Sequence, residues 1–103
     1  MKITSLAIPD IKLVVPDFLR DNRGYFVETY SRKSFAEAGI DFAFVRDNSS
    51  LSHRRGTVRG LHFQIPPEAQ DKLVRVERGR IFDVAVDIRS GSPYFGSHVA
   101  AEL

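Results

Sequence analysis

The sequence predicts an all-β fold, a sandwich or barrel, with one short helix. Three observations carry this reading. Short apolar or alternating stretches recur at close spacing, turn signals separate them, and only one stretch carries helix start and stop signals. Such a fold offers a ligand cavity between its sheets or in its mouth. Inward-facing side chains of alternating parity would line that cavity.

Residues 11–18 are apolar-rich and β-branched, interrupted by Pro16. Asp21-Asn22-Arg23-Gly24 is a turn signal. Residues 25–30 alternate after it, with Phe26 and Glu28 on one face and Val27 and Thr29 on the other. The helix falls near 31–38, with Ser31 as its cap, Phe35 as its apolar anchor and Gly39 as its stop. Residues 42–45 and 57–63 read as further strands. Residues 72–76 and 81–88 read as a hairpin pair, with Gly79 supplying the turn. Ser90-Gly91-Ser92-Pro93 is the next turn, and residues 95–103 begin another strand. No linker, repeat or low-complexity tract interrupts this order, so residues 1–103 read as a single domain.

Composition excludes several function classes. The chain has no cysteine, so a disulfide framework, a zinc-thiolate site and a cysteine nucleophile are all ruled out. No apolar run approaches the ~20 residues of a membrane helix, and the N-terminus lacks a signal-peptide core. A soluble, cytoplasmic protein is therefore expected, without a membrane partner. Net charge is only +2, but 11 of the 15 basic residues are arginine. Arginine pairs bidentately with phosphates and carboxylates, where lysine acts as a point charge. From His53 to Arg80 the chain holds Arg54, Arg55, Arg59, Lys72, Arg75, Arg78 and Arg80 against Glu68, Asp71 and Glu77. This local excess suits an anionic ligand, although ordinary surface charge explains it too. A nucleic-acid partner is not expected, because the stripe of basic residues with interleaved aromatics is missing. A phosphorylated small molecule fits better.

The densest chemical cluster is Gly56-Thr57-Val58-Arg59-Gly60-Leu61-His62-Phe63-Gln64. Arg59 and His62 would face opposite sides of an ideal strand. A bulge at Gly60 would bring them onto one face. His62 is suited to act as a general base, since its reference pKa lies near 6.5. A hydrogen-bonded core histidine is the competing reading. Lys72 shares a face with Val74 and Val76. It either points into a cavity, where it would stabilise an oxyanion, or snorkels to water. Asp83, Ala85, Asp87 and Arg89 fall on one side of the strand that follows. Asp83 and Asp87 each suit a cationic or histidine partner, with a solvent-facing carboxylate the favoured reading for Asp87. Gly56, His62, Gln64 and Glu68 loosely match the first cupin metal motif, but Gln64 replaces its second histidine. One imidazole argues against a metal site.

Together these motifs resemble a specific family. They are Asp21 to Glu28, Val45 to Ser52, Gly56 to Gln64, Gln70, Lys72-Leu73-Val74, Gly79, Asp83 to Arg89 and Ser92 to Gly96. In this order the chain is similar to the dTDP-4-dehydrorhamnose 3,5-epimerase family from about Leu13 onward. The resemblance implies a cupin-like jelly-roll fold. It implies epimerisation of dTDP-4-dehydro-6-deoxy-D-glucose at C3 and C5, giving dTDP-4-dehydro-L-rhamnose. His62 would be the base and Lys72 the group that stabilises the enolate oxygen. Arg23 and Arg59 would hold sugar and diphosphate. Phe26 and Glu28 would lie near the nucleotide base and sugar, and Asn48 would contact substrate. No metal or organic cofactor is implied, and the expected assembly is a homodimer that exchanges N-terminal strands.

The sequence also departs from the family. Arg46 stands where glutamine is common, so it is not assigned to the site. The tyrosine acid and the aspartate partner of the histidine have no matching residue. The chain therefore reads as the front part of a larger, incomplete β-domain. A catalytically incomplete nucleotide-sugar binding fragment and a related keto-sugar 3-epimerase or isomerase remain as alternatives.

Overall fold

The computed structural model describes residues 1–103. It contains six strands in three antiparallel hairpins, with one helix between the second and third. β1 (Lys2–Ser5) pairs with β2 (Lys12–Val15). Its turn closes through Leu6 N–H to the Ile11 carbonyl at 2.9 Å and tucks Ile8 out of solvent. β1 escaped the sequence reading. Its signal was β-branched Ile3 and Thr4, followed by the Pro9-Asp10 turn.

β3 (Phe18–Asp21) and β4 (Gly24–Val27) form the second hairpin, with Asp21 opposite Gly24 across the expected turn. Pro16 splits the predicted 11–18 strand, so that β2 and β3 serve different hairpins. Register places Phe18, Arg20, Tyr25 and Val27 on one face. There Phe18 and Tyr25 meet edge to face at 5.0 Å, and the Arg20 guanidinium lies over both rings.

The helix α1 (Arg32–Glu37) forms as the sequence requires. Ser34 N–H donates to the Ser31 side chain at 3.3 Å, which caps the first turn. At the other end Gly39 adopts a left-handed φ of +83°. Ile40 N–H then reaches the Phe35 carbonyl at 2.8 Å and Gly39 N–H reaches that of Ala36 at 3.0 Å, a Schellman closure. Phe35 and Ile40, the apolar pair that accompanies this motif, are both buried. Six residues are too few to hold a helix alone. Phe35 supplies the anchor, packing edge to face with Tyr30, which in turn meets Phe44.

β5 (Phe82–Val86) pairs with β6 (His98–Glu102), and not with residues 72–76 as expected. Runs 42–45, 57–63 and 72–76 form no ladder. The physical reason is the same in each case. Alternation prescribes a face, but a strand exists only where another strand accepts its backbone hydrogen bonds. Between residues 41 and 80 the backbone bonds to itself only at Thr57 N–H to Arg54 and Glu68 N–H to Ile65.

Asp87 corrects a second expectation. It is buried, at 5% exposure, in the connection between β5 and β6. Arg89 donates to both of its oxygens, from Nε at 3.0 Å, Nη2 at 2.8 Å and its backbone N–H at 2.9 Å, and Ser92 Oγ adds a fourth bond at 2.6 Å. Those donors replace the water that parity alone had assigned to it. The same arginine reaches Asp10 of the first hairpin turn from Nη1, at 2.5 Å.

The rest of the molecule is open. Its solvent-accessible surface is 9290 Å², against roughly 5,800 Å² for a compact monomer of this mass. Its radius of gyration is 15.5 Å, against about 13 Å for a closed domain of this length. The architecture is thus all-β, with the single short helix expected and without barrel closure. No helix is long and apolar enough to cross a membrane.

Candidate active site

The second hairpin positions Arg23 and Phe26. Arg23 occupies the two-residue turn, where its N–H donates to the Asp21 carboxylate at 2.8 Å. Its Nη2 and Nε return to the same carboxylate at 2.6 and 3.1 Å. These side-chain bonds hold Asp21 below the ordinary carboxylate range and raise Arg23. Nη1 stays unengaged and the side chain is well exposed. Phe26 lies on the face opposite Arg20, beside Leu19, and is 70% exposed. Arg23 and Phe26 line one open depression of about 500 Å³, together with Leu19, Arg20 and Tyr25. An aromatic face beside a cationic fork is chemically suited to a nucleotide base and its phosphates.

Glu28 follows β4 and falls in a different hollow of about 210 Å³, beside Ser31, Ser34 and Phe35. Ser34 Oγ approaches its carboxylate at 3.5 Å. Asp17 lines the same hollow and pairs with the Met1 ammonium.

Asn48, Arg59, His62 and Lys72 all lie on the ladder-free run between α1 and β5, and all are exposed. Arg59 is anchored from below, with Nε donating to Ser52 Oγ at 3.0 Å and Nη2 to the Leu51 carbonyl at 3.1 Å. These bonds fix its direction and leave Nη1 available to an anion. The backbone turns sharply at Gly60, with φ +102°, but with no ladder over residues 57–63 this is a turn and not the strand bulge that would bring Arg59 and His62 onto one face. Beyond this turn the His62 ring lies against Gly60. Lys72 makes no ion pair or side-chain hydrogen bond, so its ammonium carries no internal partner.

Two supporting residues escaped the sequence reading. Arg20 shares parity with Phe18 on an apolar strand, which was a usable signal. Ser52 lies seven residues from Arg59 in an irregular stretch, and nothing local announces that contact.

The dTDP-4-dehydrorhamnose 3,5-epimerase profile matches residues 5–103. The chain belongs to this family. A dTDP-4-dehydrorhamnose 3,5-epimerase of Sinorhizobium fredii is 53% identical over 103 residues, spanning 100% of the chain and 53% of the relative. One from Pseudomonas aeruginosa is also 53% identical, over 104 residues and 56% of its length. The crystal structure of a Bacillus anthracis dTDP-4-dehydrorhamnose 3,5-epimerase, with TDP and PPi bound, superposes with a TM-score of 0.95 at 43% identity. That alignment covers 99% of the chain and 58% of the other protein. The chain therefore spans about half the length of the family members it matches.

Proposed function

We propose that this chain carries the proton-abstracting part of a dTDP-4-dehydrorhamnose 3,5-epimerase site, within a single domain over residues 1–103. The observation that carries the reading is the superposition of nearly the whole chain on an epimerase solved with TDP and PPi bound. The proposed substrate is a dTDP-linked 4-keto-6-deoxy sugar, and the expected compartment is the cytoplasm.

The C4 ketone acidifies the protons on C3 and C5. His62, in its neutral form, takes a proton from one of these carbons and becomes imidazolium. The electron pair moves into the C–C bond and onto the ketone oxygen, giving an enolate. Lys72 donates a hydrogen bond to that oxygen, and its unpartnered ammonium is suited to the task. Returning the proton to the opposite face inverts the carbon and requires an acid outside the residues assigned here. Arg23 and Arg59 hold the diphosphate, Phe26 stacks on the base, and Glu28 and Asn48 fix base and sugar. Glu28 does not share the hollow of Arg23 and Phe26. We propose that a homodimer, joined through its N-terminal strands, brings these groups to one ligand.

The test is deuterium uptake at C3 and C5 from D₂O, followed by proton NMR. Uptake is expected with the unaltered sequence and is lost in His62→Ala. Uptake that survives this substitution rejects His62 as the base. A second reading, nucleotide-sugar binding without turnover, is favoured by the depression that Arg23 and Phe26 line, which includes neither His62 nor Lys72. It predicts a calorimetric dTDP-sugar signal with no deuterium uptake.

A further inference from the structure

Gly60 differs from every other glycine of the chain. A side-chain carbon built at Gly24, Gly39, Gly56, Gly79, Gly91 or Gly96 would meet nothing within 4 Å. At Gly60 the same carbon would sit 3.1 Å from His62 Nδ1, 3.3 Å from the His62 backbone nitrogen and 3.6 Å from His62 Cε1. The imidazole thus folds back over the bare face of the glycine, with its Nδ1 and Cε1 edge inward. Its Nε2 lies farther from that position. The backbone nitrogen cannot retreat without moving the chain, so the ring would have to give way.

We propose that Gly60 is a positioning residue that seats the His62 imidazole and turns Nε2 toward the substrate. The proposal rests on His62 acting as the base. Two properties of glycine are used together: the positive φ at residue 60 and the missing side-chain carbon. They can be separated, because Gly79 has a similar φ of +93° with open space around it. Gly79→Ala carries the backbone strain without the steric conflict, and Gly60→Ala carries both.

The experiment compares the wild-type chain, Gly60→Ala and Gly79→Ala by NMR with ¹⁵N-labelled histidine, His62→Gln providing the assignment. Wild type is expected to give an NOE between the Gly60 α-protons and the His62 Hε1. Gly60→Ala is expected to shift the His62 ring nitrogens and the midpoint of their pH titration, and Gly79→Ala to leave both unchanged. In the deuterium-uptake assay, Gly60→Ala should lower kcat at least tenfold while KM stays within threefold, with Gly79→Ala close to wild type. Absence of the NOE in wild type overturns the proposal. So do wild-type ring resonances in Gly60→Ala. If Gly60→Ala does not fold, the wild-type NOE alone decides. If the wild-type chain takes up no deuterium, the functional reading of this chain fails, and the ring geometry still judges the role of Gly60.

Discussion

Arg89 grips both oxygens of the buried Asp87 and extends its remaining nitrogen to Asp10, 79 residues earlier. One guanidinium thus ties the first hairpin turn to the last. The side-chain bonds from Arg89, with help from Ser92 and the Arg89 backbone N–H, hold the Asp87 carboxyl well below the usual carboxylate range. A depressed pKa adds stability above the unfolded value, near pH 4, and that stability is lost as pH falls toward the folded value. Asp87→Asn should therefore lower the urea midpoint at pH 7. The gap to wild type should narrow below about pH 4. A gap that stays constant with pH would remove the ion pair as its cause.

The helix depends on one side chain. Phe35 is 2% exposed and touches Tyr30 edge to face. Phe35→Ala should cost the helix about 3–5 kcal/mol, read locally as lost hydrogen-exchange protection at the Ala38 and Ile40 amides. Ser31→Ala, which removes only the cap, should cost about 1 kcal/mol.

Anion binding should divide between primary and supporting groups. Arg59→Ala or Arg23→Ala should weaken dTDP binding about 10–100-fold, since a hydrogen bond to a charged group contributes about 1.5–3 kcal/mol. Ser52→Ala leaves the Leu51 carbonyl to hold Arg59, and should weaken binding only about fivefold. Isothermal calorimetry checks the order, and an equal loss in Ser52→Ala and Arg59→Ala would contradict it.

Thermal unfolding of the monomer should be broad. Two-stranded hairpins are marginal on their own, and here three of them share few buried residues. The expected calorimetric trace lacks a sharp cooperative peak. A sharp two-state melt of a monomer would show that the hairpins cooperate.

What could be read in the sequence was what is decided locally. Ser31 and Gly39 bound the helix within eight residues, and Asp21 to Gly24 encodes its own turn. The partner of β5 was not legible, because residues 72–76 alternate as well as β6 does and lie nearer in sequence. Asp87 failed for a related reason. Parity assigns a face, but only the fold brings Arg89 and Ser92 over the carboxylate. In the candidate site, the turn placing Arg23 and the bend at Gly60 follow from residue type. The Ser52 anchor under Arg59 does not, since it joins two irregular stretches.

The tie between Asp10 and Arg89 also sets an order of events during protein synthesis. The ribosome delivers Asp10 first, and at about 5–20 residues per second Arg89 follows roughly 4–16 s later. By the end of that interval both strands of the first two hairpins and the whole helix have been made. The carboxylate of Asp10 meanwhile has no arginine to meet. The clasp is therefore a late event, and the hairpins it joins stay marginal until it closes.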